Sequence, residues 1–163
     1  MPLRRNPLLV RRFDMLKLIS SMAELDSEQL LAVYKEQHWN EDEILSYLRE
    51  NFFRQPGAFY AVWEENATYR AAVRFGPYKD GLLLHSLETA PDDRRRGYAY
   101  QLIIQALAYL RTSGCKVVYS HINKRNKPSL MLHKKCGFEI ISDSATYLDG
   151  TVTQYSNTLR ICL

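Results

Sequence analysis

The period of apolar and polar positions changes several times along the chain. Over residues 21–36, Leu30, Leu31, Val33 and Tyr34 fall on one helical stripe, with Asp26 or Ser27 placed to cap it. His38-Trp39 closes that segment. Asn40 opens a second helix, Glu43 completes a capping box, and Ile44, Leu45, Tyr47, Leu48 and Phe52 follow at helical spacing until Gln55-Pro56-Gly57. The pattern then becomes that of strands. Residues 58–63 and 69–75 form an expected hairpin around Glu64-Glu65-Asn66, and Gly76-Pro77 with Lys79-Asp80-Gly81 turns the chain into a third strand over 82–89. Residues 1–14 fit either a strand or a loose arm.

A long helix follows. Ala99, Leu102, Ile103, Ala106, Leu107 and Leu110 recur at i, i+3, i+4, i+7, i+8 and i+11, and Ser113-Gly114 stops the run. Residues 116–122 read as a buried strand. Pro128 starts a helix that runs to about residue 135, where Gly137 ends it. Residues 138–141 and 153–162 close the chain as two strands joined through Tyr147 and Asp149-Gly150. The predicted class is α/β: a mixed central sheet of about six to seven strands flanked by about four helices, with residues 1–163 forming one domain.

Composition narrows the class without naming a function. The 163 residues are 46% hydrophobic and 25% charged, which fits a globular chain with its own core. No apolar run approaches the roughly 20 residues of a membrane span, and Leu8-Leu9-Val10 runs at once into Arg11-Arg12, so no secretory leader is expected. The expected compartment is the cytoplasm. Cys115, Cys136 and Cys162 are odd in number and lack metal-ligand spacing, so neither a disulfide scaffold nor a metal is expected, and Cys136 reads as core. The net charge of +4 is mild, and neither aromatic interleaving nor a nucleic-acid module accompanies it. The basic clusters at 94–96, inside one stretch, and at 124–135, downstream of it, flank one candidate site, which suggests a phosphorylated ligand.

That stretch is Pro91-Asp92-Asp93-Arg94-Arg95-Arg96-Gly97-Tyr98-Ala99-Tyr100. A strand feeding a helix through a glycine turn leaves backbone N–H groups converging at a positive dipole end, an anion site suited to phosphate. Gly97 and Ala99 let a pyrophosphate approach the N–H groups of the turn and of Tyr98, while Arg95 and Arg96 add charge.

Arg94-x-x-Gly97-x-Ala99, followed by Asn126-x-x-Ser129-x-x-x-His133-Lys134-Lys135-Cys136-Gly137-Phe138, resembles the GCN5-related N-acetyltransferase superfamily. The close match covers about residues 82–140. The resemblance implies an acetyl-CoA-dependent enzyme in which strands 82–89 and 116–122 splay to admit the pantetheine arm. It implies that Arg94 contacts the cofactor largely through its backbone, that Thr89 offers backbone groups to the arm, and that Asn126 hydrogen-bonds the cofactor beside Ser129, where the family often has alanine. His133 stands where the family has its usual tyrosine acid, the plainest departure from the pattern.

Acetyl transfer to an amine needs a base, because an alkyl ammonium with pKa near ~10 is not nucleophilic, and a donor for the departing thiolate. Glu88, at the strand end beside the splay, is the first candidate base, directly or through water. His133 is the candidate donor, with Tyr98 or Tyr119 as substitutes. Strand alternation puts His85 and Glu88 on opposite faces, and His121 is a further candidate. Trp39 and Tyr147 are the expected acceptor-site walls. The expected activity is transfer of an acetyl group to a primary amine, most simply of a small molecule, by direct attack, in a monomer or homodimer without nucleic-acid or membrane partners. A protein N-terminal or lysine acetyltransferase, and an acyl-CoA-binding module without turnover, remain as alternatives.

Overall fold

Residues 15–163 are described by a computed structural model, and the expectation for residues 1–14 falls outside the described residues. The elements run β1 (Leu16–Ile19), α1 (Ser27–Val33), α2 (Glu41–Glu50), β2 (Phe59–Glu65), β3 (Thr68–Tyr78), β4 (Gly81–Thr89), α3 (Tyr98–Thr112), β5 (Val117–Asn123), α4 (Lys127–Lys135), β6 (Glu139–Ser142), a short hairpin of β7 (Ala145–Thr146) and β8 (Val152–Thr153), and β9 (Ser156–Cys162). Two single turns of 3-10 helix, Phe52–Arg54 and Pro91–Asp93, precede β2 and α3.

Seven strands form one sheet in the order β1-β2-β3-β4-β5-β9-β6, antiparallel except for the parallel pair β4–β5. The expected mixed sheet and four helices are therefore present. β1 is an addition to the sequence reading, as is the β7–β8 hairpin. The first helix is shorter than its apolar stripe implied: Asp26 caps it by accepting from the Gln29 N–H at 3.1 Å, and it ends at Val33. Asn40 caps α2 in the same way through the Glu43 N–H.

Two cores lie on opposite faces of the sheet. On one, Leu30, Val33, Leu48 and Phe52 from the first two helices and their extension pack on Tyr60, Val62 and Ala72. On the other, the α3 stripe of Leu102, Ile103, Ala106, Leu107 and Leu110 packs with α4's Leu130 on Val73, Phe75, Leu84, Val118 and Ile122. Each fully buried leucine or isoleucine contributes about 1.5–3 kcal/mol relative to exposure.

The parallel pair positions the site. At its start β4 runs tight against β5: a Cβ on Gly81 would lie 2.1 Å from the Val117 carbonyl oxygen, so only glycine fits. Pairing continues from Leu82↔Val118 to Leu84↔Ser120 and stops. Beyond it, Ser86 adopts φ 55° and the β3–β4 register shifts between Ala72 and Arg74, the signature of a bulge. The bulge bends β4 away from β5, and the two strands part.

Candidate active site

The parting strands leave a cavity of about 210 Å³ that opens through the sheet. His85, Ser86, Leu87 and Glu88 form its β4 wall, and Ser120, His121, Ile122 and Asn123 form its β5 wall. α1 and the following loop close one face with Tyr34, Gln37 and Trp39, and α4 closes the other with Asn126, Ser129 and His133. The Tyr34 hydroxyl donates to the Ser86 carbonyl, which ties α1 to the bulge.

The bulge changes the expected facing of β4. His85 pairs with Arg74 and Glu88 with Ala72, two residues that share one face of β3. His85 and Glu88 thus point to the same side, toward α1 and α2, rather than to opposite sides. One extra residue in β4 inverts the parity that strict alternation assigns.

Glu88 reaches the cleft, and both of its oxygens are engaged. Arg94 Nη2 donates to one at 2.8 Å, and Gln37 Nε2 donates to the other at 3.0 Å. Arg94 also binds Glu36 in the turn that follows α1. Its side chain therefore clamps two carboxylates, and its backbone is left to the turn.

His133 lies on the inner face of α4, 1% exposed, not on a polar helix surface. Its Nδ1 is 2.8 Å from the Ser129 carbonyl oxygen, which can only accept, so Nδ1 carries the hydrogen. Nε2 is then an acceptor and takes the Ser120 hydroxyl at 3.3 Å. Burial pushes the imidazole below the usual histidine value, against the bond to Ser129, so the ring is neutral near pH 7. His133 meets the cleft through Ser120.

His121 has the opposite tautomer. The Tyr78 hydroxyl gives its single hydrogen to the Thr146 carbonyl, so it accepts from His121 Nε2 at 3.2 Å. Nδ1 is left as a bare lone pair, buried and without a partner among the described residues. Burial, and then the Lys79 ammonium, lower the pKa of this ring. Tyr147 stacks edge-on against it with ring centroids 5.3 Å apart. His85 is held lower still, at about 3, by burial first and by the positive Arg74 and His121 second.

The glycine turn lies at the start of α3. Arg95 (φ 62°) and Gly97 (φ 83°) are both left-handed, a local alternation that turns backbone N–H groups toward one concavity. No side chain caps the first turn of α3, and a Cβ on Gly97 would meet nothing within 4 Å. Arg96 leans on Asp93 at 3.5 Å, and Asp93, 5% exposed, is held by Arg70 of β3 at 3.1 Å. Arg95 makes no ion pair among the described residues. The Tyr98 hydroxyl turns away to Glu65 at 2.7 Å. Thr89 ends β4 opposite Ala71, just ahead of this turn.

Asn126 caps α4, its side-chain oxygen accepting the Ser129 N–H at 3.2 Å, which leaves its amide NH₂ for the cleft. Trp39 stacks on Tyr34 with ring centroids 4.8 Å apart and lines the cavity, whereas Tyr147 lines a neighbouring hollow that shares His85. The structure thus gathers Trp39, Glu88, Asn126, Ser129 and His133 around one cavity; Thr89 and Arg94–Ala99 lie outside its lining, and Tyr147 lines the neighbouring hollow. Sequence reasoning missed Ser86, Ser120, Tyr34 and Arg74. Only Arg74 carried a signal, a lone charge inside the apolar run Ala71-Ala72-Val73-Arg74-Phe75. Among the described residues, no cluster of three histidines, cysteines or acidic residues is placed to hold a metal, and no helix is long and apolar enough to cross a membrane.

Residues 19–138 match the family described as Acetyltransferase (GNAT) family. No curated protein sequence matches the chain at a significant level. Among solved structures, a ribosomal-protein-alanine N-acetyltransferase from Brucella melitensis superposes with TM-score 0.68 at 20% identity, over 91% of this chain and 99% of that one. A mutant of the spermidine N-acetyltransferase SpeG from Vibrio cholerae gives TM-score 0.68 at 16% identity, over 91% and 94%. A PaiA N-acetyltransferase from Thermoplasma acidophilum in complex with coenzyme A gives 0.62 at 13%, over 91% and 99%. At these identities the likeness is one of fold.

Proposed function

The chain belongs to the acetyltransferase (GNAT) family, and from that premise we propose that it transfers an acetyl group from acetyl-CoA to the amine of a small molecule. The observation that carries this reading is the alignment of two features: a cleft opened between β4 and β5 by the Ser86 bulge, and an uncapped helix start at Gly97 beside it.

Acetyl-CoA supplies an activated thioester. The turn fits its pyrophosphate because Gly97 faces open space and Ala99 is small, so phosphate oxygens reach backbone N–H groups with the Arg95 guanidinium nearby. Thr89, Arg94, Arg96 and Tyr98 contribute backbone and charge to the same turn. The pantetheine arm lies between the splayed strands, against the Asn126 amide and Ser129.

An acceptor amine enters from the α1–α2 face, between Trp39 and Tyr147. His121 takes its proton at Nδ1, a basic lone pair that no group of the described chain occupies. Glu88 is the second candidate for this step, and it acts as a base only when Arg94 and Gln37 release it. On the other face, the Ser120 hydroxyl gives its hydrogen to His133 Nε2, and it serves as a donor to the departing sulfur only on rotating away from that bond. The test is thiol release from acetyl-CoA with a panel of amines. CoA binding without turnover on any amine would instead favour an acyl-CoA-binding module, and turnover only on protein N-termini or lysines would favour a protein-modifying enzyme.

A further inference from the structure

Arg74 is a buried cation with no anion. It lies on β3 at 8% exposure, and no carboxylate of the described chain pairs with it. One nitrogen, Nη2, donates to the Ser86 hydroxyl; Nε and Nη1 are buried without any acceptor. The Tyr60 hydroxyl beside it on β2 is likewise buried and unpartnered. The surroundings supply aromatic faces instead of charge: the Phe52 ring centroid is 5.4 Å and the Tyr47 ring centroid 5.5 Å from Arg74 Cζ.

A guanidinium does not lose its proton in proteins, and burying one without a counter-ion costs several kcal/mol. Ring faces offset part of this and satisfy none of the in-plane N–H groups. The second N–H of Nη2 stands parallel to one of these, and that fork, with a phenol hydroxyl on the neighbouring strand, matches the two oxygens of a carboxylate.

The fork belongs to the acceptor side of the cleft. Arg74 pairs directly with His85, which lines the cavity, and His121 stands on the next strand on the same face. Three adjacent strands thus present Arg74, His85 and His121 in a row about 10 Å across. Ser86, which holds the guanidinium, is itself part of the cavity wall. Tyr47, 40% exposed, lies over the guanidinium, and a half-exposed side chain of this kind changes rotamer within nanoseconds.

We propose that Arg74 binds the carboxylate of the acceptor, so that the amine substrate is an amino acid or a similarly small amino carboxylic acid, with the carboxylate on Arg74 and the amine toward His121. This rests on the acetyltransferase reading for the amine's fate, but carboxylate binding can be measured apart from it.

The experiment is calorimetric titration of the protein with each of the twenty amino acids and with the corresponding amino-acid amides, without acetyl-CoA. At least one free acid is expected to bind tenfold or more tightly than its amide. Arg74→Met should abolish that preference and Arg74→Lys should keep only part of it, while both variants bind CoA as the wild type does. Thermal melts check that the variants are folded. Absence of any acid-over-amide preference in the wild type, or its persistence in Arg74→Met, overturns the proposal and assigns the free donors to ordered water. Failure to bind CoA with the preference intact would sink the acetyltransferase reading and leave this site standing.

Discussion

His85 and Glu88, three residues apart on one strand, face the same side of the sheet, because Ser86 between them adds one residue to β4 without adding one to β3. That bulge also ends the pairing with β5. The opening of the cleft and the orientation of its β4 wall thus have a single local cause.

Ser86 holds φ 55° without being glycine, and its hydroxyl and carbonyl receive Arg74 and Tyr34. A β-branched residue tolerates this region poorly. Ser86→Val is expected to destabilise the protein by about 1–2 kcal/mol, read as a lower urea midpoint at unchanged slope.

How much of this was legible in the sequence follows from what each feature depends on. Helices with a clean stripe, such as α3, and capped ends, such as Asn40, were visible because their signals are local. The glycine turn was visible because only glycine suits its backbone at Gly97. The bulge was not, because Ser86 carries no turn chemistry and a bulge exists only relative to the partner strand. β1 escaped because four residues give too short a pattern, and its burial is supplied by β2. The burial of His133 was not legible because the face of α4 that meets β5 is fixed by packing, and the Ser120 hydroxyl that donates to it lies 13 residues away.

His121 and Glu88 offer distinct predictions for the base. With His121 as base, His121→Asn should lower kcat by about 10²–10⁴-fold, and Glu88→Gln should lower it far less. The base must be neutral to act, so kcat/KM should fall as pH drops through an apparent pKa below ~6.5, the direction in which burial moves this ring. A pH–rate profile on both variants checks this. Loss of the acidic limb in Glu88→Gln alone would transfer the role to Glu88.

His85 makes folding stability sensitive to acid. Its folded pKa of about 3 lies below that of the unfolded chain, so between these values the unfolded state binds the extra proton. The resulting stability is fully present above pH ~6.5 and is lost as pH falls toward about 3, at up to about 1.4 kcal/mol per pH unit. His85→Gln should flatten the pH dependence of the urea midpoint over that window. An unchanged slope would mean that the ring is protonated in the folded state.

Asp93 anchors the segment before the glycine turn to β3 through Arg70 at 3.1 Å. Arg70→Met strands a carboxylate that is 5% exposed, with only the more distant Arg96 beside it. The expected cost is about 3 kcal/mol, with weakened CoA binding as the turn loosens. Denaturation and CoA titration on the same preparation measure both.

The most direct test of the central claim is CoA affinity in Gly97→Glu. The left-handed backbone at Gly97 costs a substituted residue about 1–2 kcal/mol, but its side chain enters open space, so the protein should remain folded. The carboxylate then occupies the ground where backbone N–H groups meet the pyrophosphate. The expected result by calorimetry is CoA binding to the wild type and none detectable to a folded Gly97→Glu protein. Equal affinity in the two would contradict the assignment of this turn, and with it the placement of acetyl-CoA in the cleft between β4 and β5.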